Sequence, residues 1–376
     1  MIKETNEAGP LKGYVSKIFE SPVAKRYAYV TACDADGRKT QQIVLSEEHD
    51  YAQNVKEAAR AVYAVARSSG IIFTMERSRS GHDVMRASNE GERLLQALQL
   101  PFEDIEATLP QHYINPLFHL LRQHRDKHVP DAVLLSDWKV LINADAKALH
   151  GALEALVKGL REAWTDPSMR RVLDAARRRS DKRWKSMRRA ISESFQDCSK
   201  LVAMRLDLHF HMAPDPYPFA PDVSESEAYR YMVKFERYLR DHYPLVRYMW
   251  SLEYGTQTGF HFHMLVLLNG HLVQDGLGIC MKLGEHWQNV ITEGRGRYFN
   301  CNANDYKSPG LGMIHGSNPQ AVETLLKDVA WYLTKTDFWM RYEAAGKAFV
   351  ISVRYRQPSP GGAKRKPKGG AEGGMA

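Results

Sequence analysis

The sequence predicts an α+β protein in which a mostly helical region precedes an antiparallel sheet flanked by helices. From about residue 200, short apolar runs alternate with helical patterns in the order strand, helix, hairpin, helix, strand, helix, strand. The segment between Gly255 and Gly259 separates two apolar runs, which indicates a hairpin. Before residue 200, apolar residues recur mainly at helical spacing, and prolines interrupt the pattern.

Composition favours a folded protein with a polyanionic partner. The chain has 376 residues, which is enough for two domains, and a net charge of +8 with a pI of about 9.1 favours nucleic acid. The four cysteines are scattered without a CxxC pair, so a reducing cytoplasm is expected rather than a disulfide framework or a zinc ribbon. No signal peptide and no transmembrane run are expected, since the first ten residues are polar and no apolar run is long enough.

Residues 1–195 are predicted to form a mostly helical accessory region. A small hairpin is expected over residues 26–45, and Ser46 is expected to cap a helix that ends near Arg67. Short helical pieces are expected over residues 69–140. A longer helix opens at Asp145, and its apolar stripe consists of Leu149, Leu153, Leu156, Leu160 and Trp164.

A basic linker helix is predicted over residues 169–191. From Arg170 to Arg189 there are ten Lys or Arg residues and two Asp, a local net charge of +8. This helix is either a solvated linker or a phosphate-contacting helix, and charge runs between domains are common enough to leave both open. The candidate nucleic-acid contacts are Arg177, Arg178, Arg179, Lys182, Arg183, Lys185, Arg188 and Arg189.

The hairpin from Trp250 to Leu268 contains a candidate metal site. His261 and His263 are two residues apart on a predicted strand, so both point to one face. Glu253, on the partner strand, can supply a third ligand, and this donor set suits a divalent ion with open positions. The alternative is a strand with a polar face, because a second His-x-His pair occurs at His209–His211.

A candidate nucleophile lies on a helix predicted from about Asn318 to Arg341. Tyr332 and Lys335 are three residues apart, so both fall on one helix face. A tyrosine phenol can attack phosphorus, and a lysine can stabilise the developing charge. The same spacing also occurs at Tyr14–Lys17 and Tyr231–Lys234, and a buried tyrosine beside an extended lysine is the alternative meaning.

The order of these motifs, Glu-x7-His-hydrophobe-His followed by Tyr-x-x-Lys, resembles the HUH endonucleases. More narrowly, the region from about residue 200 to 355 resembles the replication endonucleases of inovirus-type (filamentous) phages and their prophage relatives, with a C-terminal domain of the YagK/YfjJ type. The stretches that support this resemblance are GFHFHMLVLLNG, LGEHWQNVITEGRGRYFNCN and VAWYLTKTD.

The resemblance implies an HUH-type sheet that holds Mg²⁺ or Mn²⁺ through His261, His263 and Glu253. It implies that Tyr332 cuts single-stranded or hairpin DNA at a replication origin, with a 5′-phosphotyrosine intermediate and a free 3′-OH, and that Lys335 assists electrostatically. The expected role is rolling-circle replication of a phage or prophage-like element in a bacterial cytoplasm. A host helicase or polymerase is an expected partner, since the chain has no recognisable helicase motif, and no membrane partner is expected.

Three other functions remain open at this stage. A relaxase or transposase would use the same chemistry, a DNA-binding regulator would carry an inactive HUH-like site, and a metal-dependent phosphoesterase would leave Tyr332 structural.

The catalytic domain is predicted at residues 196–357, followed by a disordered Gly/Lys-rich tail at 358–376. The accessory region would recognise origin DNA, contact host proteins or brace the catalytic domain. Tyr342 would lie about 80° around the helix from Tyr332, so a two-tyrosine site is not expected.

Overall fold

The protein combines helices with antiparallel sheets, and the largest sheet lies in the C-terminal part, as the sequence predicts. The computed structural model describes residues 27–33, 39–45, 47–131, 137–211, 223–255, 258–303, 310–335 and 338–355. The tail predicted to be disordered, Ser46 and the Tyr14–Lys17 pair lie outside these residues. No helix in the described ranges has both the length and the apolar character needed to cross a membrane.

The first part of the chain is mostly helical, with two small hairpins. Its elements are β1 (Tyr27–Cys33), β2 (Lys39–Leu45), α1 (Glu47–Arg67), β3 (Phe73–Arg77), β4 (Asp83–Ala87), α2 (Asn89–Leu98), α3 (Phe102–Thr108), β5 (His112–Ile114), α4 (Pro116–His128) and α5 (Asn143–Thr165). The β1–β2 hairpin confirms the prediction. The β3–β4 hairpin was missed, because its strands are short and rich in charged residues, so they give no clear apolar alternation.

One proline of this region, Pro116, begins a helix. Pro116 occupies the first turn of α4, where its missing N–H has no intrahelical partner to lose. The Asn115 side chain caps this helix by accepting a hydrogen bond from the Leu117 N–H at 3.0 Å. The apolar stripe predicted for α5 is buried or half-buried in a core that it shares with α1 and α4.

The second part builds one sheet with helices on both faces. Its elements are α6 (Pro167–Asp197), β6 (Lys200–Phe210), α7 (Glu225–His242), β7 (Leu245–Gly255), β8 (Gly259–Asn269), α8 (Gly276–His286), β9 (Gly296–Asn300), β10 (Gly312–His315), α9 (Pro319–Thr324), α10 (Trp331–Lys335), β11 (Met340–Tyr342) and β12 (Phe349–Ile351). A π-helical turn, Trp287–Ile291, extends α8, and another, Leu325–Ala330, joins α9 to α10.

The large sheet has the strand order β10-β6-β8-β7-β12, and β9 pairs with the other end of β6. Every pairing in it is antiparallel. Successive residues of β6, β7 and β8 face opposite sides of this sheet. One side packs against α7 and α8 through a cluster that includes Phe235, Phe262 and Trp287. The other side packs against α6 and α10 through a cluster that includes Ile191, Leu265 and Leu333.

The predicted helix from Asn318 to Arg341 is wrong at its C-terminal end. Residues 340–342 form β11, which pairs with β5 of the first part of the chain. Tyr342 therefore lies on a strand, where its hydroxyl donates a hydrogen bond to Glu225 Oε2 at 2.7 Å. Pairing with a strand distant in sequence outweighs the local helical pattern. Residues 302–318 are rich in glycine and asparagine, a composition typical of a loop, yet residues 312–315 form β10.

Each of the two cores is completed by side chains from another part of the chain. Phe338, Trp339 and Met340, which follow α10, are buried in the core of the first part. In the other direction, α6 contributes apolar residues to the core of the sheet. The domain boundary predicted after residue 195 falls inside α6, and the predicted basic helix of residues 169–191 is its central part.

Candidate metal centre

The β7–β8 hairpin brings the three predicted metal-binding residues together. Glu253 lies directly opposite His261, and Ser251 lies opposite His263, so these side chains share one face of the sheet. Gly259 begins β8 with a φ of +62°, a backbone conformation that residues with a side chain rarely adopt. The turn therefore fixes the register that aligns Glu253 with the two histidines.

Glu253, His261 and His263 form a compact group of possible ligands. Glu253 Oε2 is 3.6 Å from His261 Nε2 and 3.4 Å from His263 Nε2. One ligand atom from each residue lies within 4.8 Å of the other two. The Glu253 side chain is 15% exposed and that of His263 is 8% exposed, so the group is largely shielded from solvent.

The other ring nitrogen of each histidine already has an acceptor. His261 Nδ1 lies 3.1 Å from the carbonyl oxygen of Gly259, and His263 Nδ1 lies 2.9 Å from Asp207 Oδ1. Donation from Nδ1–H leaves the lone pair on Nε2, which is the atom that faces Glu253 in both residues. The donor set and its outer partners therefore fit a divalent metal ion with further positions open.

Asp207 joins the site from β6, opposite His263, and the sequence analysis missed it. Arg205 donates to this carboxylate with contacts of 3.2 and 2.9 Å. Burial alone would raise the pKa of Asp207, but Arg205 and His263 outweigh it and hold the pKa well below its usual range. In the sequence, Asp207 lies between Leu206 and Leu208. A charged residue within an apolar strand was the signal that could have identified it.

Without a metal ion, His263 is positively charged at neutral pH, with Nε2 protonated as well as Nδ1. Burial would lower its pKa, but the carboxylates of Asp207 and Glu253 raise it to about 9. A metal ion bound by this group would therefore compete with a proton for His263 Nε2.

His209 stands next to the triad, although the sequence analysis did not assign it to the site. It lies opposite His261 in the β6–β8 pairing, and the two rings stack with centroids 5.1 Å apart. Burial, followed by the neighbouring His261, lowers the pKa of His209 well below its usual value. His209 is thus a neutral, buried neighbour of the triad, whereas His211 follows the end of the strand and is exposed.

The helix that contains the predicted nucleophile packs on the face of the sheet that carries the triad. Ala330 and Leu333 are buried in one cluster with Met249 and Leu265. Leu265 is two residues from His263 on β8, so these two side chains share a face. Trp331 also packs edge-on against Trp184 of α6, with ring centroids 5.3 Å apart. The side chains of Tyr332 and Lys335 lie outside the described part of the structure, so their catalytic roles stay predictions.

The basic helix α6 runs beside this face. It turns Trp184, Met187 and Ile191 toward the sheet cluster. The exposed predicted DNA contacts are Arg178, Arg179, Lys182, Lys185, Arg188 and Arg189, and the half-buried ones are Arg177 and Arg183. Arg177 is 3.7 Å from Asp181, and the guanidinium of Arg183 lies 5.1 Å from the centre of the Phe349 ring. This exposure is compatible with phosphate contacts, and the DNA-binding role stays a prediction.

The segment from α6 to the start of β12 contains the triad, Asp207 and the Tyr332 helix. Residues 170–349 match the model of the YagK/YfjJ C-terminal domain. This YagK/YfjJ-like segment begins within the basic helix, so that helix is part of the matched unit together with the sheet. No curated protein and no solved structure matches the chain.

Proposed function

We propose that the protein is a replication-initiator endonuclease that nicks single-stranded origin DNA through Tyr332. The carrying observation is that one sheet face bears the Glu253–His261–His263 group and also packs against the helix that contains Tyr332. The resemblance of the motif order to the HUH endonucleases supports the same reaction. The DNA that the protein helps to replicate would be a phage or prophage-like element that uses rolling-circle replication.

The chain's own residues would divide the work as follows. The basic face of α6 captures single-stranded or hairpin DNA through its phosphates. The hydroxyl oxygen of Tyr332 attacks the scissile phosphorus, the bond to the 3′ oxygen breaks, and a 5′-phosphotyrosine and a 3′-OH result. Lys335 stabilises the charge that develops during this step. Because the phosphotyrosine is itself a phosphodiester, a later 3′-OH can attack it and rejoin the strand.

Glu253, His261 and His263 would hold Mg²⁺ or Mn²⁺, with the tautomers of both histidines fixed by Gly259 and Asp207. When bound, such an ion polarises a phosphodiester and orients it.

The decisive experiment offers the protein labelled single-stranded DNA from its own replicon with Mn²⁺ and resolves the products on a denaturing gel. A protein–DNA band that survives denaturation is expected, and it should disappear with a chelator and in Tyr332→Phe. Tyr231→Phe is the matched control, because Tyr231 has the same spacing to a lysine but lies on α7, where its hydroxyl oxygen contacts Arg295 at 3.2 Å. That variant should keep the covalent band.

Other outcomes would identify a different function. Cleavage without a covalent band would indicate a phosphoesterase in which Tyr332 is structural. A covalent band that persists in Tyr332→Phe would assign the nucleophile to another residue. DNA binding without any cleavage of replicon DNA would indicate a regulator with an inactive site.

A further inference from the structure

Two rows of side chains cross the sheet on the face that bears the triad. The pairings of β7 with β8, β8 with β6 and β6 with β9 define both rows. The first row contains Glu253, His261, His209 and Arg297, and the second contains Ser251, His263, Asp207 and Phe299. Directly opposed residues of antiparallel strands point to the same face, so Arg297 stands at the end of the row that contains Glu253 and His261.

We propose that Arg297 binds the phosphodiester next to the metal triad. This inference rests on the proposed function and names the residue that would hold the scissile phosphate there. Adjacent strands are about 4.8 Å apart, so Arg297 and His261, two strands apart, are separated by about 10 Å of backbone. A phosphate that contacts the Nε2 side of the triad is therefore within reach of a long side chain from β9.

The chemistry and partial burial of Arg297 suit a phosphate ligand. A guanidinium can donate two parallel N–H groups to two oxygens of one phosphate, which fixes its orientation as well as its position. Arg297 is half-buried, and a partly buried charge interacts more strongly with an anion than a fully solvated one. His209 lies between Arg297 and His261 in this row, and its ring is buried.

Two neighbouring arginines, Arg205 and Arg295, contact protein side chains. Arg205 is committed to Asp207, which in turn contacts His263. Arg295 precedes β9 and donates to Glu227 Oε1 at 3.3 Å and to the Tyr231 hydroxyl at 3.2 Å, so it faces α7. Arg295 therefore provides a matched control, because it carries the same charge two residues away from Arg297 without facing the triad.

The test uses the full-length protein loaded with Mn²⁺ and the dinucleotide dTpdT, which contains one phosphodiester. Bound Mn²⁺ shortens the relaxation time of a nearby ³¹P nucleus, so the titration reports both affinity and proximity to the metal. We expect enhanced relaxation with the unchanged protein. Arg297→Gln should weaken dTpdT binding by about 10- to 100-fold, the usual effect of removing a charge-assisted hydrogen bond. Arg297→Lys should restore part of the loss, and Arg295→Gln should leave binding unchanged.

Mn²⁺ affinity, measured by electron paramagnetic resonance, should be the same in all four proteins to within about threefold. A structural role for Arg297 would lower Mn²⁺ affinity together with dTpdT affinity, and that result would overturn the proposal. So would an Arg297→Gln protein that binds dTpdT normally, or an unchanged protein that gives no relaxation enhancement. The proposed nicking activity is judged separately by the covalent band, which requires Tyr332 and does not enter the dTpdT measurement.

Discussion

The two faces of the large sheet use the same strands for different purposes. Even-numbered residues of β8, from Phe260 to Leu268, pack into an apolar cluster beneath α7 and α8. On the opposite face, Leu265 and Leu267 are apolar, but His261 and His263 are not. One alternating pattern therefore builds a continuous core on one side and a core with a polar end on the other. The first face contributes a continuous apolar core, and the second carries the candidate metal ligands.

The polar end is stabilised by pairing rather than by removal of apolar surface from water. Asp207, His209, His261 and His263 are all buried, and burial of such groups is costly unless they are partnered. Arg205, Asp207 and His263 form a connected chain of contacts. The difference between the faces predicts that apolar substitutions will act on stability, whereas polar substitutions will act mainly on metal binding.

The largest stability effect is expected for Phe262→Ala. Phe262 lies between His261 and His263 in sequence but points to the apolar face. There its ring packs edge-on against Trp250, with ring centroids 5.3 Å apart. Truncating a fully buried phenylalanine leaves a cavity and should lower the free energy of unfolding by about 3–5 kcal/mol. Urea denaturation of the metal-free protein measures this. A loss below about 1 kcal/mol would contradict the assignment of this face as the main source of stability.

Asp207→Asn should weaken Mn²⁺ binding by about 10- to 100-fold. The amide lacks the negative charge that orients His263 and leaves Arg205 without its carboxylate partner. Calorimetric titration with Mn²⁺ checks the affinity. Asp241→Asn is a matched control, because Asp241 contacts Arg240 on the exposed surface of α7. Equal Mn²⁺ affinities in the two variants would show that Asp207 does not support the triad.

The polar face should also respond to pH. The pKa of His263, about 9 in the fold, lies above its value of about 6.5 in an unfolded chain. Protonated His263 therefore stabilises the metal-free fold fully below about pH 6.5, and this contribution is lost as the pH rises through about 9. Metal binding has the opposite dependence, since the proton must leave first. Mg²⁺ affinity should rise by about tenfold per pH unit between pH 6.5 and 8.5.

Two measurements check this pH dependence. Urea midpoints with a chelator should fall from pH 6.5 to pH 9, and His263→Gln should reduce that fall. Calorimetric titrations with Mg²⁺ over the same range should show the rise in affinity. A metal affinity that does not vary with pH would mean that no proton is displaced from the triad.

The smallest effect is expected for Tyr342→Phe. The Tyr342 hydroxyl donates to Glu225, and its ring contacts Phe260 on the apolar face. Loss of one hydrogen bond should lower the free energy of unfolding by about 1 kcal/mol. The covalent band should remain at its normal intensity, in contrast to Tyr332→Phe. Loss of the band in Tyr342→Phe would mean that this second tyrosine takes part in the reaction.

The sequence predicted those elements that depend on interactions between residues close in the chain. The hairpin followed from two apolar runs around a glycine-bounded turn, and α7 begins at a capping box whose two residues, Ser224 and Glu227, are only three positions apart. The pairing of Glu253 with the two histidines followed from the length of that turn and the alternation of the strands. These features need only a few neighbouring residues, so the sequence was sufficient for them.

Features that depend on pairing between distant segments were missed. Asp207 and His209 reach the site because β6 pairs with β8 in one register, and nothing near residue 207 specifies that partner. The end of the Tyr332 helix was misplaced because β11 pairs with β5, which lies more than two hundred residues earlier in the chain. Arg297 likewise joins the row of Glu253 and His261 only through the pairing of β9 with β6.

The segment that follows the Tyr332 helix limits how the protein can be divided. Phe338, Trp339 and Met340 are buried among apolar side chains of the first part of the chain, including Phe118 and Leu117. A recombinant fragment that begins at α6 would expose these three large apolar side chains to water and would tend to aggregate. For this protein, the smallest practical expression unit therefore begins before α1, and transplanting the large sheet into another protein requires that Phe338, Trp339 and Met340 be replaced by polar residues.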